Sequence, residues 1–176
     1  MNATTQFVAL YNSPVGKIYY SYTDKSLTGL WFKDQKYSPI IPDIPEHRLM
    51  YFKTYISELT KYWLDIYFQG VIPNFVPQMT LSGTPFRMKV WQKLAQIPYG
   101  QVRTYGQIAE ETAAETQSKR VSARAVGAAV GHNPISIIIP CHRVIGASGK
   151  MTGYAGGIDK KIKLLKIEGL SSKLHI

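Results

Sequence analysis

The stretch GVIPNFVPQMTLSG, Gly70 to Gly83, constrains the fold most, because Gly and Pro interrupt it three times before Ser82 and it separates two halves of different texture. Upstream, from Thr5 to Phe32, aromatic and β-branched runs are broken at Asn12 to Gly16 and at Thr23 to Ser26. Such runs between turn residues predict a three-stranded antiparallel meander. Beyond the connector YSPIIPDIPEH, Phe52, Tyr55, Leu59, Tyr62, Trp63 and Ile66 recur at helical spacing. That helix is expected to lay its aromatic stripe on one sheet face, as core rather than as a binding box.

Downstream the signals are helical. Thr84 is placed to cap a helix with Pro85 in its first turn, and Phe86, Val90, Leu94 and Ile97 form one stripe before Pro98 and Gly100 end it. A second helix is expected from near Thr104 through YGQIAEET, a third over VSARAVGAAV, and a buried apolar strand over Ile135 to Ile139. Short helices followed by a strand suggest a helix-turn-helix with a wing, the third helix meeting DNA. The chain therefore reads as α+β, with a structural N-terminal domain over 1–80 and a DNA-facing C-terminal domain over 83–176.

Charge points the same way. Residues 1–79 carry seven Lys and Arg against six acids, net +1, whereas residues 80–176 carry fourteen against five, net +9. A field of that kind suits a polyanion such as nucleic acid, although it could also serve only solubility. The third helix is almost bare: Ser122, Ala123, Ala125, Gly127, Ala128, Ala129 and Gly131 leave Arg124 as its only long side chain. Such a helix could enter a narrow groove, with Arg124 filling the space of an extruded base, or its small residues could allow tight packing.

The chain has one cysteine, in IIIPCHRV, so an internal disulfide is excluded and a reducing compartment is expected. With no apolar leader segment and no run of 18 apolar residues, the chain reads as cytoplasmic, with no membrane partner. Pro140 ends the expected strand, and Cys141 follows it. His142 could take the thiol proton directly or through one water, and a nearby His or helix N-terminus would lower the thiol pKa. Equally, a lone cysteine can be a small buried hydrophobe.

Four segments stand in order from about Gly83 to Gly169: GTPFRMKVWQKLAQIPYGQVRTYGQIA, RAVGAAVGHNPISIIIPCHRVIGASGK, TGYAGGIDKK and LLKIEG. With them the chain resembles the O(6)-alkylguanine-DNA alkyltransferase family, also called methylated-DNA-protein-cysteine methyltransferases. The first 80 residues match that family in layout and in LDIYFQG. The resemblance implies an RNase H-like N-terminal domain, a winged helix-turn-helix-like C-terminal domain, and DNA repair by irreversible transfer of an alkyl group from O(6)-alkylguanine in duplex DNA to Cys141. O(4)-alkylthymine is a further candidate substrate.

By the same resemblance Cys141 is the acceptor, His142 its base, Glu168 the orienter of His142 and Asn133 a brace for the turn. Arg124 is the intercalating finger on a DNA-binding surface with Ser122, Ala123, Ala125 and Gly127. Tyr105 rotates the nucleotide and supports the leaving guanine; Val144, Ala147, Ser148 and Tyr154 belong to the base pocket. The span from Tyr105 to Arg124 exceeds the family's usual turn by several residues in AAETQSKR, where Lys119 and Arg120 could contact phosphate or stay solvated. Some relatives hold zinc through cysteines and histidines; here no second cysteine exists and His47, His132 and His175 lack ligand spacing, so no metal, no cofactor and a monomer are expected. A lesion binder without chemistry, a cysteine hydrolase using Cys141, His142 and Glu168, and a helix-turn-helix regulator are the rival readings.

Overall fold

The computed structural model describes residues 5–39, 52–116 and 120–174. Strands β1 (Phe7–Ser13), β2 (Gly16–Tyr22) and β3 (Leu27–Phe32) pair antiparallel in chain order, the meander expected from the turn residues. Helix α1 (Tyr55–Phe68) opens on a capping box: Thr54 Oγ1 accepts from Ser57 N at 3.0 Å, and Ser57 Oγ accepts from Thr54 N at 2.9 Å.

The face that α1 buries differs from the expected stripe. Ile56, Thr60, Trp63, Leu64 and Tyr67 point inward, whereas Tyr55 and Tyr62 are exposed and Phe52 precedes the helix. This helix is aromatic on two sides, so periodicity alone does not choose between them. The outer side finds local partners instead: Tyr62 stacks on Phe75 at 5.8 Å, and Phe52 on Phe7 at 4.8 Å. The linker is also tied down, since Leu27 N donates to Gln78 O and Thr80 N to Leu27 O.

The second half contains α2 (Pro85–Ala95), β4 (Arg103–Thr104), α3 (Tyr105–Glu115), α4 (Ala123–Gly131), β5 (Val144–Ile145), α5 (Ile158–Ile167) and α6 (Ser171–Leu174). Thr84, Thr104 and Ser122 cap α2, α3 and α4, each hydroxyl accepting from the backbone N–H three residues on. Trp91 Nε1 donates to Ala129 O at 2.9 Å, fastening α2 to α4. Part of the long segment before Arg124 is simply the end of α3: Ala113 to Glu115 are helical, and Glu115 pairs with Lys89 and Lys93 of α2. Lys119 lies outside the described residues; Arg120 is exposed.

The expected strand over Ile135 to Ile139 does not form. Its residues are buried, but the backbone turns repeatedly, with Ile138 N donating to Ser136 O and Ile137 at φ +70°. The reason is Asn133. Its Oδ1 accepts from Ile135 N at 3.1 Å and its Nδ2 donates to Ile139 O at 2.8 Å, which engages groups a ladder would need. Only Ile135 bridges to the sheet, beside Leu30: Leu30 N donates to Pro134 O and Ser136 N to Leu30 O. Through this contact the two halves share one continuous core that contains Leu30, Trp91, Ile135 and Cys141.

Candidate active site

The Asn133-braced turn delivers the chain into a single 3-10 turn, Cys141 to Arg143, and then into β5, which pairs in parallel with β4. That pairing places the cysteine turn beside the N-terminus of α3. From the other side α5 ends on Glu168, its C-cap residue. Cys141, His142, Arg143, Asn133 and Glu168 are all buried, so the surface carboxylate that Glu would ordinarily be is here an interior one.

Glu168 holds the centre together. Its Oε1 accepts from His142 Nε2 at 2.7 Å, Tyr67 Oη at 2.8 Å and Arg143 Nη2 at 3.0 Å. Its Oε2 accepts from Arg143 Nε at 2.9 Å and Gly100 N at 3.2 Å. Gly100 sits at φ +71°, a conformation that favours glycine, and this turn aims its N–H at the carboxylate. Burial opposes the charge on Glu168, but hydrogen bonds and charge from His142 and Arg143 outweigh it and bring its pKa down to about 2.

The anion fixes the tautomer of His142. Because Nε2 faces a carboxylate, it carries the proton, and Nδ1 is left as an acceptor with no hydrogen-bond partner among the described residues. Burial lowers the His142 pKa despite Glu168, so the ring is neutral at neutral pH and able to accept a proton. The thiol differs from expectation: burial raises the Cys141 pKa, and Asn133, Lys161, Tyr154 and Ser136 only partly oppose this. His142 does not pre-ionise it. A neutral ring carries no charge to stabilise a thiolate, so the thiol keeps its proton until a base removes it.

In front of this centre lies a cavity of about 710 Å³, and the expected residues divide around it. Tyr105, Ala123, Arg124, Gly127, Ala147 and Tyr154 line it, together with Gly146, Thr152 and Gly153. Cys141 is set behind the wall: the buried Tyr154 hydroxyl has no well-formed hydrogen bond, yet Cys141 and Ser136 both act on its ionisation. Tyr105 Oη donates to Gly153 O at 3.3 Å. Val144 is buried, with its N–H given to Cys141 O and its carbonyl taken by Lys161 Nζ. Ser148 is exposed at φ +57°. On α4 the buried residues are Val126, Ala129 and Val130, while Ser122, Ala123 and Arg124 are exposed and Ala125 and Gly127 half-buried. The bare face is therefore open and not a packing seam.

Sequence reasoning missed several participants. Lys161 is fully buried, spans from Val144 O to Thr152 O across the pocket loop, and has its pKa lowered by burial to about 8. Its signal was legible: it shares the buried stripe of α5 with Leu164 and Leu165. Arg143 stood in the quoted motif, but nothing local paired it with Glu168. Lys36 and Tyr37 bring the N-terminal half to the cavity wall, with Tyr37 stacked on His132 at 4.1 Å. Among the described residues no group of three or more His, Cys, Asp or Glu could hold a metal, and no helix is long and apolar enough to cross a membrane.

The pattern described as 6-O-methylguanine DNA methyltransferase, DNA binding domain, matches residues 85–170, and the ribonuclease-like domain of the same family matches residues 7–75. The methylated-DNA--protein-cysteine methyltransferase of Mycobacterium leprae is 43% identical over 158 residues, spanning 89% of this chain and 88% of its own. That of Methanosarcina acetivorans is 40% identical over 163 residues, covering 93% and 98%. The crystal structure of Mycobacterium tuberculosis OGT in complex with DNA superposes with a TM-score of 0.73 at 39% identity, covering 92% of each chain.

Proposed function

This chain belongs to the 6-O-methylguanine DNA methyltransferase family, and from that premise we propose that it repairs DNA by moving an alkyl group from O(6)-alkylguanine to Cys141. The observation that carries the reading is the buried thiol followed by a His142–Glu168 pair and standing behind a cavity bordered by Tyr105, Arg124 and Tyr154. Arg124, exposed on the bare face of α4, enters the minor groove and holds the gap left by the extruded guanine. Ser122, Ala123, Ala125 and Gly127 let the helix approach the duplex, and Arg120 and Lys119 add phosphate contacts. The division at 1–80 and 83–176 assigns support to the first part and DNA contact to the second, with Lys36 and Tyr37 as the exceptions.

The thiol proton passes to His142 Nδ1, directly or through one water, and the imidazolium that forms is stabilised by Glu168. Sulfur attacks the alkyl carbon in line with the oxygen, a C–S bond forms as the C–O bond breaks, and the bond pair leaves on the guanine. Tyr105 donates a hydrogen bond to the departing guanine, which is protonated from solvent as the imidazolium gives up the thiol proton. Tyr154, Val144, Ala147 and Ser148, with the backbone of the pocket loop, set the guanine edge and the alkyl sizes accepted, and they decide whether O(4)-alkylthymine can enter as well. The thioether has no leaving group, so each molecule reacts once. A chain that acts alone, without cofactor or metal, in a reducing cytoplasm suits a site built from one thiol. Incubation with O(6)-methylguanine duplex should raise the intact mass by one methyl, on the peptide containing Cys141. Multiple turnovers, or no mass change with the lesion bound, would instead favour a hydrolase or a lesion binder.

A further inference from the structure

The segment LDIYFQG contributes a residue to the reactive centre. Tyr67, on the last turn of α1, is fully buried, and its hydroxyl donates to Glu168 Oε1 at 2.8 Å, the oxygen that also receives His142 Nε2. It also lies 3.4 Å from His142 Nε2, and its ring meets the His142 ring edge-on at 6.4 Å and the Tyr99 ring at 6.0 Å. We propose that Tyr67 is a positioning residue for alkyl transfer: the N-terminal half uses its hydroxyl to hold Glu168 Oε1 in line with His142 Nε2 and to moderate the basicity of that carboxylate.

Four residues donate to the one carboxylate of Glu168. His142, Arg143 and Gly100 all come from the second half of the chain. Tyr67 alone among these donors comes from the first half, so its hydroxyl ties the N-terminal half directly to Glu168 Oε1. A donor to Glu168 stabilises the anion and reduces its pull on a proton. With Tyr67 in place Oε1 stays in line with Nε2 and pulls less strongly on its proton, so the His142 ring stays neutral and able to accept the thiol proton. Burial first, then the charge and hydrogen bond of Glu168, keep the Tyr67 phenol protonated, so it remains a donor throughout the working range. The other titratable and charged groups that act on this cluster are Arg143, Lys161, Tyr99 and Tyr154, with Cys141 beyond Tyr154. All of them remain in a Tyr67→Phe protein.

The inference rests on the transfer reading, and the test separates the two. Single-turnover methyl transfer from O(6)-methylguanine duplex is followed by intact mass across pH for wild type and Tyr67→Phe, with melting temperatures and duplex affinities measured alongside. Loss of a hydrogen bond to a charged group should slow transfer on the order of 10-fold at neutral pH with duplex affinity unchanged. Glu168, with one donor fewer, should draw the His142 proton more strongly, so the acid limb of the rate profile should move to higher pH. A variant matching wild type in both rate and midpoint overturns the role of Tyr67. So does a slower rate with an unmoved midpoint and a lowered melting temperature, which is what packing alone would give. Wild type that gains no methyl mass overturns the transfer reading instead.

Discussion

Nε2 of His142 lies 2.7 Å from Oε1 of Glu168, both side chains sealed from solvent and 26 positions apart in the chain. The contact leaves one ring nitrogen committed to a carboxylate and the other without a hydrogen-bond partner among the described residues. It also ties reactivity to pH and stability, because both partners ionise differently inside the protein than in an unfolded chain.

Both shifts run in the same direction. Burial lowers His142 below its ordinary 6.5, so between the folded and unfolded values the unfolded chain binds more protons, and stability falls as pH falls through that window. Glu168 adds a second loss lower down: its contribution is present above 4.5 and disappears as pH falls toward about 2. Melting temperature should therefore decline from about pH 7.5 to about pH 5, and His142→Asn should flatten that decline. A wild-type melting temperature that stays level over the range would mean that His142 is not held neutral.

What the sequence disclosed was mostly local chemistry. The caps at Thr84, Thr104 and Ser122 were legible because a hydroxyl, a first turn and an apolar stripe lie within a few residues of one another. The three strands were legible for the same reason. Ile135 to Ile139 reads as a strand in the sequence because apolar runs look alike, and the side-chain bonds of Asn133 that bend the backbone leave no periodic trace. The buried face of α1 was missed because aromatics stand on both its sides. Tyr67 and Glu168 are 101 positions apart, and no spacing rule connects them. Cys141 and His142 are legible as neighbours in IIIPCHRV and Glu168 only through family resemblance, while the elevated thiol pKa depends on the burial of the turn.

Cys141→Ser should bind lesion duplex and fail to react. A serine hydroxyl is much less acidic than a thiol, and the neutral His142 that can take a thiol proton is a poor match for it. Intact mass should rise by one methyl in wild type only. Methyl transfer by the Ser variant at a comparable rate would remove Cys141 from its role as acceptor.

Affinity for unmodified duplex should fall steeply with salt. Residues 80–176 carry net +9, and cations displaced from the phosphates make the logarithm of affinity decline in proportion to the contacts made. A titration across several ionic strengths measures the slope. Affinity independent of salt would mean that the basic half does not face the duplex.

Arg124→Ala separates base extrusion from reactivity. Arg124 is exposed at the cavity wall, whereas Cys141, His142 and Glu168 are buried behind it, so truncating the arginine leaves their hydrogen bonds intact. Extruding a paired guanine costs a few kcal/mol, roughly, and a side chain in the gap recovers part of that; a free base needs no extrusion. Transfer from alkylated duplex should therefore slow strongly, while reaction with free O(6)-benzylguanine should stay near the wild-type rate if that base enters the cavity. Both second-order rate constants are measured at one salt concentration for both proteins, and misfolding would depress the pair together. A decline in equal proportion would place Arg124 in the structure of the pocket and not in the opening of the duplex.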